Sequence, residues 1–217
     1  MAITYPRTLP TTRWSAMDFK PLFIGNSVQL AGGLTQYREA GDTRWQCDLT
    51  TVPLFPGDPT DRALIGVMRA WWMSLRGGLK TFLAYDKAHE YPITYPNGTG
   101  IGAWGGTGTV SSISANAFTA SSVLSGLQLK AGDWVGFEKS GKYSLHVVTE
   151  DKTASGTTIS SVPFEPAINT SVFTTTFTAR FIQAKAEFLP LAGSFSAPES
   201  TQAQPISFSG IQKLYTS

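Results

Sequence analysis

The chain has 217 residues, enough for one large or two small domains, and its 41% apolar content is that of an ordinary globular protein. Charged residues make up only 15% and the net charge is +2, which gives no global electrostatic reason to bind nucleic acid. A surface so poor in charge is also ill suited to keeping a monomer solitary.

Residues 1–11 contain Pro6 and Pro10 and read as an extended arm. Short strands are expected at 12–19, 22–24 and 27–31, with turns at Asn26, at Gly32-Gly33 and at Glu39-Ala40-Gly41-Asp42. A longer strand is expected over 44–54. There Trp45, Cys47, Leu49 and Thr51 alternate with polar residues at the two-residue period of a half-buried strand. Cys47 is the only cysteine, so no intrachain disulfide can form, and it reads as a small core residue.

One helix is predicted, from Pro59 to Arg76. Asp58 is a good N-cap, Pro59 suits the first turn, and Asp61 complements the helix dipole. Leu64, Met68, Trp71, Trp72 and Leu75 form its apolar stripe, and Gly77-Gly78 end it. Arg62, Arg69 and Arg76, seven residues apart, share a polar side. Together with the other arginines before residue 77 they are candidates for a partner-contact face. A strand over 79–85 follows.

Beyond Tyr95 the chain becomes glycine-rich and then breaks into short β-type runs at 109–113, 134–137, 143–149, 157–162 and 174–181. Ser140-Gly141 marks a hairpin. Longer extended runs return at 185–191 and 206–215. The expected fold class is therefore mainly β. Residues 1–95 and 182–217 make a β-sandwich domain with one amphipathic helix, and 96–181 make an inserted small, OB-like β-barrel domain.

No catalytic constellation emerges, and no cofactor or metal site is expected. His89 and His146 lack ligand partners at metal spacing. Glu150-Asp151 lacks a calcium-loop pattern. Gly105-Gly106-Thr107-Gly108 lacks the Lys-Ser/Thr of a phosphate loop and precedes strands, not a helix. Glu138 and Glu150 are a conceivable hydrolase pair, with no sequence evidence that they meet. Trp104, set in Gly102-Ala103-Trp104-Gly105-Gly106, has no regular element to bury it. It is a candidate contact for a partner subunit or a sugar. The chain's start shows no secretory pattern, and no apolar run approaches the ~18 residues of a membrane span, so folding in the cytoplasm is expected.

Several segments together resemble the distal tail proteins of long-tailed, non-contractile phages. They are Trp14–Phe19, Phe23–Asn26, Leu34–Tyr37, Arg44–Leu49, Leu75–Gly78 and Thr81–Asp86, then Leu129–Phe137 leading into Tyr143–Val148, and last Pro205–Ser209. The resemblance implies a non-enzymatic virion protein, assembled in the host cytoplasm, that forms a hexameric ring at the tail tip. Its expected partners are further copies of itself, the tail tube protein and the tail hub or tip proteins. It needs no membrane, nucleic acid or cofactor. Some members of this family carry a sugar-binding module, which makes host-glycan binding the alternative function.

Overall fold

The structure, a computed structural model, describes residues 3–29, 33, 35–198 and 202–216, and for Asn26, Val28 and residues 35–40 the backbone alone. Among the described residues the strands and the one α-helix are, in chain order, β1 (Arg7–Thr8), β2 (Trp14–Gln29), β3 (Thr35–Thr51), α1 (Pro59–Ser74), β4 (Phe82–Tyr85), β5 (Thr107–Ile113) and β6 (Ala117–Ser121). There follow β7 (Gln128–Leu129), β8 (Trp134–Lys139), β9 (Lys142–Val148), β10 (Lys152–Thr153), β11 (Ile159–Glu165), β12 (Phe177–Arg180), β13 (Lys185–Pro190) and β14 (Ser207–Gln212). The protein is mainly β.

Six strands from both ends of the chain form one sheet in the order β1-β4-β13-β14-β3-β2. This differs from the two facing sheets of a sandwich. The reason lies in the core: α1 and the outer side of β8–β9 already occupy the apolar face that a second sheet would cover. Trp45, Cys47 and Leu49 of β3, Phe208 of β14, Phe188 of β13 and Phe82 of β4 share one core with Ile65, Met68, Trp71 and Leu75. Trp134 and Leu145 of the β8–β9 pair belong to the same core. Trp71 lies 5.5 Å from Phe82 and 5.3 Å from Phe208 between ring centroids, so the helix is anchored by aromatic contacts.

The helix forms where its signals place it. Asp58 Oδ1 accepts from the backbone N–H groups of Thr60 at 2.9 Å and Asp61 at 3.0 Å, and Pro59 opens the first turn. It ends at Ser74, two residues earlier than the glycines suggest, because Arg76 itself takes a left-handed φ of 52° ahead of Gly77. The N-terminal arm is strapped over this end. Trp71 Nε1 donates to Thr8 O at 2.9 Å, Tyr5 Oη donates to Ser74 O at 2.8 Å, and Arg7 bonds the Ser74 hydroxyl.

The other six longer strands close on themselves in the order β11-β6-β5-β12-β8-β9, a barrel in which every pairing is antiparallel. Phe118, Phe137, Phe164, Phe177 and Phe181 fill its interior. β6, which carries Phe118, was not expected from its local sequence, Ala-Phe-Thr-Ala-Ser.

The largest departure concerns β2 and β3. Asn26 and Glu39–Asp42, expected as turns, lie inside strands that pair with each other from Trp14↔Thr51 to Gln29↔Thr35. A long antiparallel ladder satisfies the backbone of these residues and overrides their local turn preference. The irregularity is absorbed as register shifts between Trp14 and Ala16, between Leu22 and Ile24, and between Ile24 and Gly25. The expected strand end at Ala31 and the turn residue Gly32 lie outside the described residues.

Barrel and sheet meet where β8 crosses the start of β13. A Cβ on Gly136 would lie 3.0 Å from Lys185 N and 3.3 Å from Ala184 Cα, both backbone atoms that cannot swing aside. The close approach therefore requires glycine. We predict that Gly136→Ala lowers the unfolding free energy by ~1–3 kcal/mol, read from urea denaturation of the whole chain. An unchanged denaturation midpoint would show that the two units are not packed this way.

Candidate interaction surfaces

β14 runs beside β3 only as far as the Ile211↔Gln46 pairing, so the part of β3 before Trp45 has β2 as its sole strand partner. The β2–β3 pair therefore projects from the sheet as a two-stranded ribbon. On its other side β2 has no strand neighbour among the described residues. Beneath the ribbon, where it faces the barrel, lies a groove of about 730 Å³. Pro21, Phe23 and Ile24 line it from the ribbon, Trp45 from the sheet, and Val147 and Pro166 from the barrel. Phe23 sits at a register shift and is 69% exposed. An exposed phenyl ring beside an apolar groove is the kind of surface that marks a contact site. In the sequence Phe23 belongs to an expected strand and to one of the segments with the phage-tail resemblance, and nothing local distinguishes it from a core residue.

The arginines expected to form a contact face are only partly free to do so. Arg62, Arg69 and Arg76 are all exposed, but Arg76 lies beyond the helix. Arg69 Nη2 donates to Pro198 O at 2.7 Å, which ties the helix to the segment leading towards β14. Arg13 pairs with Asp61 at 3.2 Å, and Arg7 with Ser74. Arg62 and Arg76 have no ion pair among the described residues. Near them Val67, Met73 and Leu79 are exposed, so the outer side of the helix mixes cationic and apolar groups.

Trp104 is placed differently from the expectation. It is half-buried, packs against the barrel core 5.9 Å from Phe181, and donates from Nε1 to Thr107 O at 2.9 Å. The indole packs on the barrel core from the loop just before β5. A half-buried ring whose N–H is already committed is a poor platform for a sugar.

The titratable groups with chemical potential are held in structural roles. Cys47 is fully buried, and burial pushes its thiol well above the usual range, away from the nucleophilic thiolate. His89 is exposed, with Nδ1 2.6 Å from Asp86 Oδ2. Asp133 is buried and accepts from the backbone of Ile93 at 2.6 Å and Lys130 at 2.7 Å. Burial, the larger influence, raises its pKa despite those bonds. Glu138 accepts from Tyr143 at 3.3 Å and from Arg180 at 3.5 Å, whereas Glu150 pairs with Lys152 at 3.4 Å. Among the described residues no group of three or more His, Cys, Asp or Glu could hold a metal ion. No described helix is long and apolar enough to cross a membrane.

No protein-family model matches the chain, and no curated protein matches it.

His146 carries the clearest pH signature. It lies inside the barrel wall with Nδ1 2.6 Å from Pro166 O and Nε2 2.7 Å from Ser144 Oγ. A carbonyl can only accept, so Nδ1 carries the proton and the Ser144 hydroxyl donates to Nε2. Burial drives the histidine pKa from 6.5 to about 4. The folded state then binds fewer protons than the unfolded chain between those values. The contribution to stability is complete above pH 6.5 and falls as the pH drops towards 4, by roughly 1.4 kcal/mol per unit. Urea midpoints at pH 7 and pH 5 should therefore separate more for the wild type than for His146→Gln. Equal separations would show that His146 is not held neutral.

Proposed function

We propose that the chain is a structural component of a phage tail tip, forming an oligomeric ring that joins the tail tube to the distal hub. Residues 1–95 and 182–217 build the ring, and 96–181 form an inserted OB-like barrel on its outside. The ring is hexameric and assembles in the host cytoplasm. It recruits the tail tube and hub proteins without cofactor, membrane or nucleic acid.

The observation that carries this reading is the open edge of β2 beside an apolar groove. An unpaired strand edge is a hazard for a soluble monomer and an asset for a protein that must join copies of itself. The bulges at Ser15 and around Phe23 bend that edge, so a flat, indiscriminate strand would not pair along its whole length. The low charge content points the same way. Glycan binding, the other reading, finds no comparable support once Trp104 is committed to the barrel.

Native mass spectrometry and negative-stain images of the purified protein test the proposal. The wild type is expected to give rings, alone or with the tail tube protein. Phe23→Asp is expected to give monomers with an unchanged melting temperature, because the side chain is exposed in the single chain. Monomer alone for the wild type, even with the tube protein added, would overturn the ring.

A further inference from the structure

Among the described residues the large apolar side chains that stand furthest into solvent are Leu79 at 79%, Met73 at 74% and Phe23 at 69% exposure. They lie on two separate surfaces. Phe23 lines the groove of about 730 Å³ beneath the ribbon, whereas Met73 and Leu79 flank the end of α1. No residue of α1 or of the turn after it lines the groove, so the chain does not cover its own groove with its own helix end. A space of this size takes more than one side chain, since sites of ~300–1,000 Å³ accept a drug-sized body.

The two surfaces carry opposite charge. Among the described residues lining the groove the one charged group is Glu165, at the end of β11. It is exposed and has no ion pair among the described residues. Its Oε1 accepts from the neutral amide of Asn116 at 2.7 Å, which leaves the negative charge uncompensated. The helix end is the reverse. From Arg62 to Tyr85 the chain holds four cations and no acid. Arg69 is engaged by Pro198 O at 2.7 Å, and Lys80 Nζ lies 4.9 Å from the Tyr5 ring centroid. Arg62 stands in the first turn, far from Met73. Arg76 has no ion pair among the described residues and falls between Met73 and Leu79. The turn keeps it beside Leu79, whose backbone N–H donates to Arg76 O at 3.3 Å. Its φ of 52° is a left-handed conformation for which glycine is the ordinary choice, and a Cβ on the next residue, Gly77, would meet no atom within 4 Å. The helix end is thus an open knob, apolar and cationic, and the groove is an open recess, apolar and anionic.

We propose that the groove receives the helix end of a second copy of this chain, with Met73 and Leu79 against Phe23 and Pro21 and with Arg76 paired to Glu165. This rests on the ring proposed above and names the surface that its groove meets. Burial of the three exposed apolar side chains supplies the drive, and the arginine–carboxylate pair selects the partner surface. Because the two surfaces differ, the contact is head-to-tail. Such a contact repeats from copy to copy and gives a ring when the rotation closes. A contact of groove edge with groove edge leaves both helix ends bare.

Cross-linking and charge reversal test the contact. Thr149→Cys, on the groove, and Ala70→Cys, one turn before Met73, are both exposed positions outside the pairs named, and Cys47 is buried and stays unreactive. The two variants, one carrying an affinity tag, are mixed at low concentration, allowed to assemble and treated with a short bismaleimide. Tagged-to-untagged products are expected in the mixture and none in either variant alone. Arg76→Glu and Glu165→Arg are each expected to raise the concentration for half-assembly about tenfold or more in mass photometry at ~0.1 M salt, with unchanged melting temperatures, and the double variant to recover most of the loss. Rings of wild-type protein combined with no cross-link in the mixture, with cross-linking of either variant to itself, or with unchanged assembly of both charge variants would overturn this contact and leave the ring standing. A wild type that stays monomeric would overturn both.

Discussion

The buried carboxylate of Glu187 is the interaction through which the parts of this molecule are joined. It stands in β13 at the middle of the sheet, almost wholly removed from water. A carboxylate there is tolerable only if donors surround it, since an unpaired buried charge costs several kcal/mol. The donors come from two distant stretches of chain. Thr81, just before β4, gives its hydroxyl; Lys213 gives its ammonium group at 3.0 Å; and Tyr215 gives its phenol. Burial and the bond to Glu187 raise the pKa of that phenol, which keeps it a donor. Tyr215 Oη also accepts from the backbone N–H of Tyr143 in barrel strand β9 at 3.0 Å. One carboxylate therefore fixes the loop before β4, the C-terminal tail and the edge of the barrel together.

The apolar side of the same junction is made by Trp45. Its indole N–H donates to Leu145 O of the barrel at 2.8 Å, its backbone N–H donates to Gln212 Oε1 at 3.1 Å, and its ring lies 4.7 Å from that of Trp134. With Gly136 allowing backbone contact between β8 and the start of β13, the barrel is seated on the sheet and is not tethered by a linker. The helix and barrel close one face of the sheet. The other face carries Asp18, Lys20 and Asp48, linked by ion pairs of 2.9 and 3.3 Å. The edge of β2 and the groove beneath the ribbon are both held at a fixed angle to the barrel.

Features governed by neighbours in sequence were legible in the sequence. Asp58, Pro59 and the Met68–Trp71–Leu75 stripe placed the helix, and turn residues such as Ser140-Gly141 placed the β8–β9 hairpin. Features set by distant partners were not. Asn26 and Glu39-Ala40-Gly41-Asp42 carry turn chemistry, yet their ladder partners are on the opposite strand of a long ribbon, and only that pairing makes them extended. Trp104 reads as exposed because its loop offers no burial, whereas its partner Phe181 lies more than seventy residues on in the chain and reaches the loop through the β5–β12 pairing. Glu187 looks like any strand glutamate until Thr81, Lys213 and Tyr215 converge on it.

Buried titratable groups and uncovered apolar surface are distributed differently in this molecule. His146, Asp133 and Glu187 are buried titratable groups, and each has its hydrogen bonds completed by the chain itself. Their polar atoms are directed inward and are committed to holding the fold together. The surfaces left uncovered are the ring of Phe23, the outer backbone edge of β2 among the described residues, and the exposed Val67, Met73 and Leu79 on and just beyond the helix. Apolar groups of this kind gain free energy by being covered, which is what the proposed assembly would do. Rigid seating of the barrel makes that covering directional. A partner that docks on the ribbon meets the barrel in one orientation, which is the property a ring or a tube joint requires of its repeating unit.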